Sequence, residues 1–178
     1  FSHFHLRNKR FNHVAYFRKK KKKILRTLTD KYLYMDADMI CVSSLQQFLN
    51  IDFQNKPVAV VSDFPDAVAT RAAFLKLKSG KYFNSGMMWV NVENWENQQI
   101  TEHCFEYVDM DSKCFTAHDQ DILNLVLDGN FVLLPKKYNF LGNPKAKAPD
   151  DLILYHFFGR IKPWDVCLSE QDKIWRHY

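Results

Sequence analysis

Glycine is scarce in this sequence, at 5 of 178 residues, while aromatic residues reach 15%. That balance describes a dense, aromatic-rich core with sites suited to sugar rings or apolar partners. The four cysteines, Cys41, Cys104, Cys114 and Cys167, include no CxxC pair, which argues against a zinc knuckle. With no signal peptide ahead of them, they read as free thiols in a reducing compartment. No run of 18 apolar residues occurs, so no membrane-spanning helix is expected. Internal repeats and low-complexity linkers are also absent, apart from one run of cations.

That run is Arg18-Lys19-Lys20-Lys21-Lys22-Lys23, in a chain of net charge +5. Such a block attracts polyanions, including anionic lipid surfaces. No aromatic interleaves it and no nucleic-acid motif surrounds it, so a nucleic-acid partner is not expected. Residues 12–28 read as a helix, with Val14, Phe17, Ile24, Leu25 and Leu28 on one broad face. The cations then form either a solvated face or a membrane-facing one. The 47% of hydrophobic residues excludes a disordered chain, and the length suits one domain with a proper core.

The chain is organised around Tyr32-Leu33-Tyr34-Met35-Asp36-Ala37-Asp38. Its apolar part reads as a buried strand that ends on two carboxylates. In open α/β sheets, ligands bind beyond the carboxyl ends of strands. Two aspartates at i and i+2 share a face if the strand continues, and turn toward one point if it breaks. Hard oxygen ligands of this kind suit Mn²⁺ or Mg²⁺. The structural alternative is an acidic turn.

Met39–Val42 reads as a second extended stretch, and Ser43 or Ser44 as the cap of a short helix through Leu49. Further strands are expected at 58–61, 87–92, 131–134 and 152–155, with helices at 66–77, 94–107 and 119–127. The alternation predicts a single α/β domain with a mostly parallel sheet. Polar groups stand at several ends of these elements. They are Asp36 and Asp38, then Asn84 and Ser85 with Gly86, then His118 to Asp121 at a helix start, and finally His156. His156 can add a nitrogen ligand to a metal held by the aspartates. Gly159 and Lys162 follow it, and a lysine beside a metal is suited to a diphosphate. Each piece alone also has a plain structural reading, as a turn, a bulge, a helix cap or a buried hydrogen-bond donor.

Taken together and in order, these segments resemble glycosyltransferase family eight, with its GT-A type fold. Tyr34-Met35-Asp36-Ala37-Asp38 resembles the family's strand and DxD motif. Phe83-Asn84-Ser85-Gly86-Met87-Met88-Trp89-Val90-Asn91 resembles its FNSG segment, with Trp95 downstream. Asp119-Gln120-Asp121-Ile122-Leu123-Asn124 is similar to its DQDxLN, and the segment from His156 to Trp164 to its HxxGxxKPW. The likeness runs from about Tyr16 to Trp164, and its DQD form points to the bacterial lipopolysaccharide glucosyl- and galactosyltransferases.

The resemblance implies retaining transfer of glucose or galactose from a UDP-sugar to lipopolysaccharide core. It implies Mn²⁺, with Mg²⁺ as second choice, on Asp36, Asp38 and His156. Lys162 and the backbone at Gly159 would contact the phosphates. Asn84 and Asp119 would hold sugar hydroxyls, with Ala37, Ser85 and Arg18 also on the donor side. Gln120 would lie beside the anomeric carbon, and with Asp119 it forms the catalytic pair of the expectation. Gln120 is a weak nucleophile, so same-face attack is the favoured route over double displacement. The protein would be cytoplasmic and peripheral to the inner membrane, docking through the basic helix and the tail at residues 165–178.

Nothing in residues 1–15 resembles the strand and acidic-asparagine motif with which the family cradles uridine. The expectation is therefore an amino-terminally truncated GT-A type domain over 1–178, with an exposed sheet edge open to self-association. Two rivals follow: a non-catalytic GT-A type remnant, and a phosphatase of the haloacid dehalogenase kind using Asp36 and Asp38.

Overall fold

A computed structural model describes residues 28–107, 118–142, 147–159, 162–167 and 170–177. The expected helix at 12–28, its cation run, Arg18 and Cys114 lie outside these residues.

The described strands form two sheets. β1 (Lys31–Met35), β3 (Val58–Ser62), β4 (Phe83–Asn91) and β5 (Val132–Leu134) are ordered β1-β4-β3-β5. β2 (Met39–Cys41), β6 (Phe140–Leu141) and β7 (Leu154–His156) are ordered β2-β7-β6. The helices are α1 (Pro65–Phe74), α2 (Val92–Asn97), α3 (Ile100–Glu106), α4 (His118–Leu127) and α5 (Glu170–His177).

Strands β3 and β4 carry near-continuous apolar runs because both of their faces are covered. Ala59, Val61, Met87 and Trp89 face one core, with Phe48, Phe53, Tyr138 and Leu154. Val58, Val60, Met88 and Val90 face the other, with Trp95, Ile100, Leu123 and Leu127 from the helices. The two-residue period of the strands thus sorts one run into two cores.

The α/β class and mixed sheets agree with expectation, but parallel pairing does not dominate the described residues. β1–β4, β3–β4 and β2–β7 are antiparallel; β3–β5 and β6–β7 are parallel. Alternation of strands and helices does not fix direction. Ser62 faces Phe83, so the chain leaves β3 and re-enters β4 at the same end, making α1 an excursion and not a crossover.

Several boundaries also move. Helix α1 stops at Phe74, short of the expected 77, and Lys76 then takes the left-handed φ of 54°. The helix expected over 94–107 is broken into α2 and α3 at Gln99, also left-handed at φ 51°. The short helix at Leu45–Asn50 is a 3₁₀ turn, and Ser44 Oγ accepts from Gln46 N at 3.2 Å as its cap. Asn84-Ser85-Gly86 is not a turn before β4 but part of it. Val60 pairs with Met88 and Val61 with Asn84, so β4 bulges at Ser85, Gly86 and Met87 as seen from β3.

Asn124 ties α4 to this bulged strand. It is fully buried; its Oδ1 accepts from Phe83 N at 2.9 Å and its Nδ2 donates to Phe83 O at 3.0 Å. Asn124→Ala leaves both backbone groups without that partner. The expected loss is about 3 kcal/mol of unfolding free energy, read from urea melts. An unchanged midpoint contradicts this role.

Candidate functional site

The two acids sit where one sheet ends and the other begins. Asp36 N donates to Gly86 O at 2.8 Å, extending the β1–β4 pairing by one rung. Phe157 N donates to Asp38 O at 2.9 Å, adjoining the β2–β7 pairing. Ala37 lies exposed between them at the tip of the turn. The strand breaks here, so both side chains turn toward one point. Carboxylate oxygens of Asp36 and Asp38 and a ring nitrogen of His156 all lie within 4.8 Å of one another.

The surroundings treat the two carboxylates differently. Tyr34 donates its hydroxyl to Asp36 Oδ1 at 2.8 Å. Burial nonetheless raises Asp36 above the ordinary carboxylate range, against the Tyr34 bond and the charge of His156; Asp38 and Asp119 add to the rise. Asp38 meets His156 Nε2 at 3.2 Å and Lys162 Nζ at 2.5 Å. Burial pushes Asp38 upward too, but the bonds and charges of His156 and Lys162 outweigh it and hold it down at about 2. Lys162 also donates to Phe157 O at 2.8 Å. Gly159 takes a φ of +116°, with open space where a side chain would stand.

Gly86 is required by close approach. A Cβ there would stand 2.4 Å from His156 Cε1 and 2.9 Å from Asn84 Oδ1. The glycine lets β4 pass directly beneath the imidazole.

The start of α4 supplies a second group. Gln120 Oε1 accepts from Ser85 N at 3.0 Å, while its Nε2 donates to Asp63 Oδ2 at 2.8 Å and to Tyr82 OH at 3.0 Å. Its amide is therefore fixed against the bulge. Asp119 is close enough for its charge to act on Asp36. Asp121 instead has a structural place: it is fully buried, pairs with Arg71 and accepts from Tyr82 OH at 2.7 Å. Burial, reinforced by Asp121, pushes Tyr82 well above the usual tyrosine range, so its hydroxyl keeps its proton.

The fold thus brings Asp36, Asp38, Asn84, Ser85, Asp119, Gln120, His156 and Lys162 to one region, by direct bonds, close approach or electrostatic reach. Two polar residues here were not singled out from the sequence. Asp63 closes β3 with an acid, the same signal that marks Asp36. Asn139 follows a 3₁₀ turn at Lys136–Tyr138 and carried no signal. Its Nδ2 donates to Asn84 Oδ1 at 3.0 Å, and its Oδ1 lies 3.2 Å from His156 Nδ1. Two hard oxygens and one imidazole nitrogen suit a divalent cation such as Mn²⁺. The half-exposed Phe158 stacks edge-on with Phe64 beside this cluster, at a centroid distance of 5.6 Å.

The profile of "Glycosyl transferase family 8" matches residues 2–167. The match takes in residues 2–15, where no family motif was legible. A lipopolysaccharide 1,2-glucosyltransferase of Escherichia coli is 34% identical over 152 residues, covering 76% of this chain and 44% of that protein. A lipopolysaccharide 1,3-galactosyltransferase of Salmonella typhimurium is 27% identical over 170 residues, covering 88% and 50%. The chain spans about half the length of the curated relatives it matches. Among solved structures, the galactosyltransferase LgtC with donor and acceptor sugar analogues superposes with a TM-score of 0.78 at 22% identity, over 98% of this chain and 69% of that one.

Two tests follow from the geometry. Gly86→Ala forces the His156 ring aside and is expected to cost about 1–3 kcal/mol in denaturant melts; no loss means the ring is not held against β4. The two aspartates should also move metal-free stability in opposite directions. Asp38, depressed in the folded state, stabilises fully above its ordinary value of 3.8, and that contribution fades as pH falls toward 2. Asp36, raised in the folded state, stabilises only at low pH and opposes folding once ionised. In chelator at neutral pH, Asp38→Asn should lower the melting point and Asp36→Asn should not. Equal losses from both contradict the assignment.

Proposed function

Because the chain belongs to glycosyl transferase family 8, we propose that it transfers a hexose, with retention, from a UDP-sugar to a lipopolysaccharide core acceptor. The observation that carries the reading is the convergence of Asp36, Asp38 and His156 within 4.8 Å, with Lys162 against Asp38. The relatives' names support a glucose or galactose donor and a lipopolysaccharide acceptor. Family membership also sets aside the phosphatase alternative.

Asp36, Asp38 and His156 would hold Mn²⁺, or Mg²⁺ as second choice, and the ion would supply charge neutralisation for the diphosphate. The raised Asp36 fits this role, since a buried carboxylate gains from a nearby cation. Lys162 would exchange part of its bond to Asp38 for a phosphate oxygen, and the backbone at Gly159 has the room to approach one. Asn84, Asp119 and Ser85 would meet the donor sugar, with Ala37 at the turn and Arg18 beyond the described residues.

Gln120 is fixed by Ser85, Asp63 and Tyr82, so its oxygen is aimed but neutral. A neutral amide already accepting a backbone hydrogen bond is a poor nucleophile. Same-face attack needs none. The acceptor hydroxyl would pass its proton to the departing phosphate oxygen as the glycosidic bond breaks. Asp119 would stabilise the sugar through its hydroxyls.

No described helix is long and apolar enough to cross a membrane. A peripheral place at the cytoplasmic side, with the cation run and the tail at 165–178 facing lipid, would bring a lipid-linked acceptor within reach. Trp175 of that tail packs on Phe157 and Trp164, at centroid distances of 5.7 and 5.0 Å, so part of the tail serves the fold. On this reading residues 1–178 belong to one glycosyltransferase domain, of which they form a part.

The test is a melting curve with Mn²⁺, with and without UDP. A ligand at a hundredfold its Kd stabilises by about 2.7 kcal/mol, or roughly 5–10 °C for a chain of this size. The shift should need Mn²⁺ and vanish in Asp36→Asn. No shift at high UDP concentration would point instead to a non-catalytic scaffold, with concentration-dependent mass revealing self-association.

A further inference from the structure

A chain of hydrogen bonds runs from a backbone amide to the ring of His156, and its direction is fixed at one end. Gly86 N donates to Asn84 at 3.0 Å, so the Asn84 atom facing it is the acceptor Oδ1. Asn139 meets that same oxygen at 3.0 Å. An oxygen there would find no hydrogen, so the Asn139 atom is Nδ2. Its other terminal atom, Oδ1, then faces His156 Nδ1 at 3.2 Å. An amide oxygen offers only lone pairs, so the hydrogen in this bond belongs to Nδ1. The other nitrogen, Nε2, faces Asp38 Oδ1 at 3.2 Å. A carboxylate also only accepts, so without a metal Nε2 donates to Asp38, and that second hydrogen is the one a cation would replace.

We propose that Asn139 is a positioning residue, which keeps the proton of His156 on Nδ1 and so presents Nε2 as the metal-facing atom. The three side chains in this relay are 3%, 1% and 3% exposed for Asn84, Asn139 and His156, so water does not compete for the bonds. The relay is held from both sides. Asn139 lies between the 3₁₀ turn and β6, and β6 pairs with β7 so that Leu141 faces His156. Gly86 carries no side chain that would part the imidazole from β4. Ligating histidines elsewhere depend on such an outer partner for tautomer and aim, and losing it typically weakens metal binding by roughly 10–100-fold. A further consequence concerns Asn84. Its Oδ1 is committed to Gly86 and Asn139, so only its Nδ2 remains to meet a sugar, as a donor.

This inference rests on the metal-site reading, but its first readout does not need the metal. Long-range proton–nitrogen NMR of the His156 ring, in metal-free protein, should find a hydrogen on Nδ1, whether or not Nε2 also carries one toward Asp38. A ring protonated only on Nε2 overturns the proposal, whatever the metal does. The second readout is Mn²⁺ affinity by electron paramagnetic resonance. Asn139→Leu, which offers no acceptor, should lose the slowly exchanging Nδ1 hydrogen and weaken Mn²⁺ by roughly 10–100-fold. Asn139→Asp keeps an acceptor facing Nδ1 and should retain that hydrogen. Both variants behaving as wild type in hydrogen exchange and Mn²⁺ affinity would also overturn it. If Asn139→Leu does not fold, wild type and Asn139→Asp decide the matter through the ring spectrum. If wild type shows the Nδ1 hydrogen but binds no Mn²⁺, the relay stands and the metal reading is what fails.

Discussion

Two backbone hydrogen bonds hold the site together, Asp36 N to Gly86 O and Phe157 N to Asp38 O. They belong to different sheets. The turn between them therefore cannot move without breaking a rung at the end of one sheet or the other. This is why two acids separated by a single alanine converge, although a continuing strand would also have put them on one face. Gly86 adds the third constraint, because its bare backbone lets the His156 ring lie against β4, where a Cβ would stand 2.4 Å from His156 Cε1.

Around that framework, the buried polar side chains nearest the site form two connected sets. Arg71, Asp121, Tyr82, Gln120 and Asp63 form one set, from the last turn of α1 to the residue after β3. Asn84, Asn139, His156, Asp38 and Lys162 form the other. Buried polar groups cost stability unless each is satisfied, and here nearly every donor finds an acceptor. Asp36 stands outside both sets, bonded by Tyr34 and held above its ordinary range by burial. A carboxylate kept in that condition opposes folding by itself and favours a cation, a common balance at functional sites.

Much of this was legible in the sequence, for a physical reason. Val58 to Val61 and Met87 to Val90 are apolar without interruption because both faces of β3 and β4 are covered, and such runs announce themselves. The acids at the end of β1 and the imidazole at the end of β7 stand out against those runs. Strand direction was not legible, since nothing in α1 says whether it crosses the sheet or returns to the same end. At Asn84-Ser85-Gly86 the sequence left a turn and a bulge equally open, because a glycine in a strand and a glycine in a turn look alike; the structure shows the bulge. Asn139 carried no signal at all: its importance comes from β6 lying beside β7, a contact between residues far apart in the chain.

The central claim is that Asp36, Asp38 and His156 form one metal site that receives a diphosphate. The most direct measurement is anomalous scattering from crystals grown with Mn²⁺ and UDP. The account predicts a manganese peak bound by both carboxylates and His156 Nε2, with the phosphates on its open side and Lys162 beside them. A peak elsewhere, or UDP bound without manganese between these three residues, would contradict it.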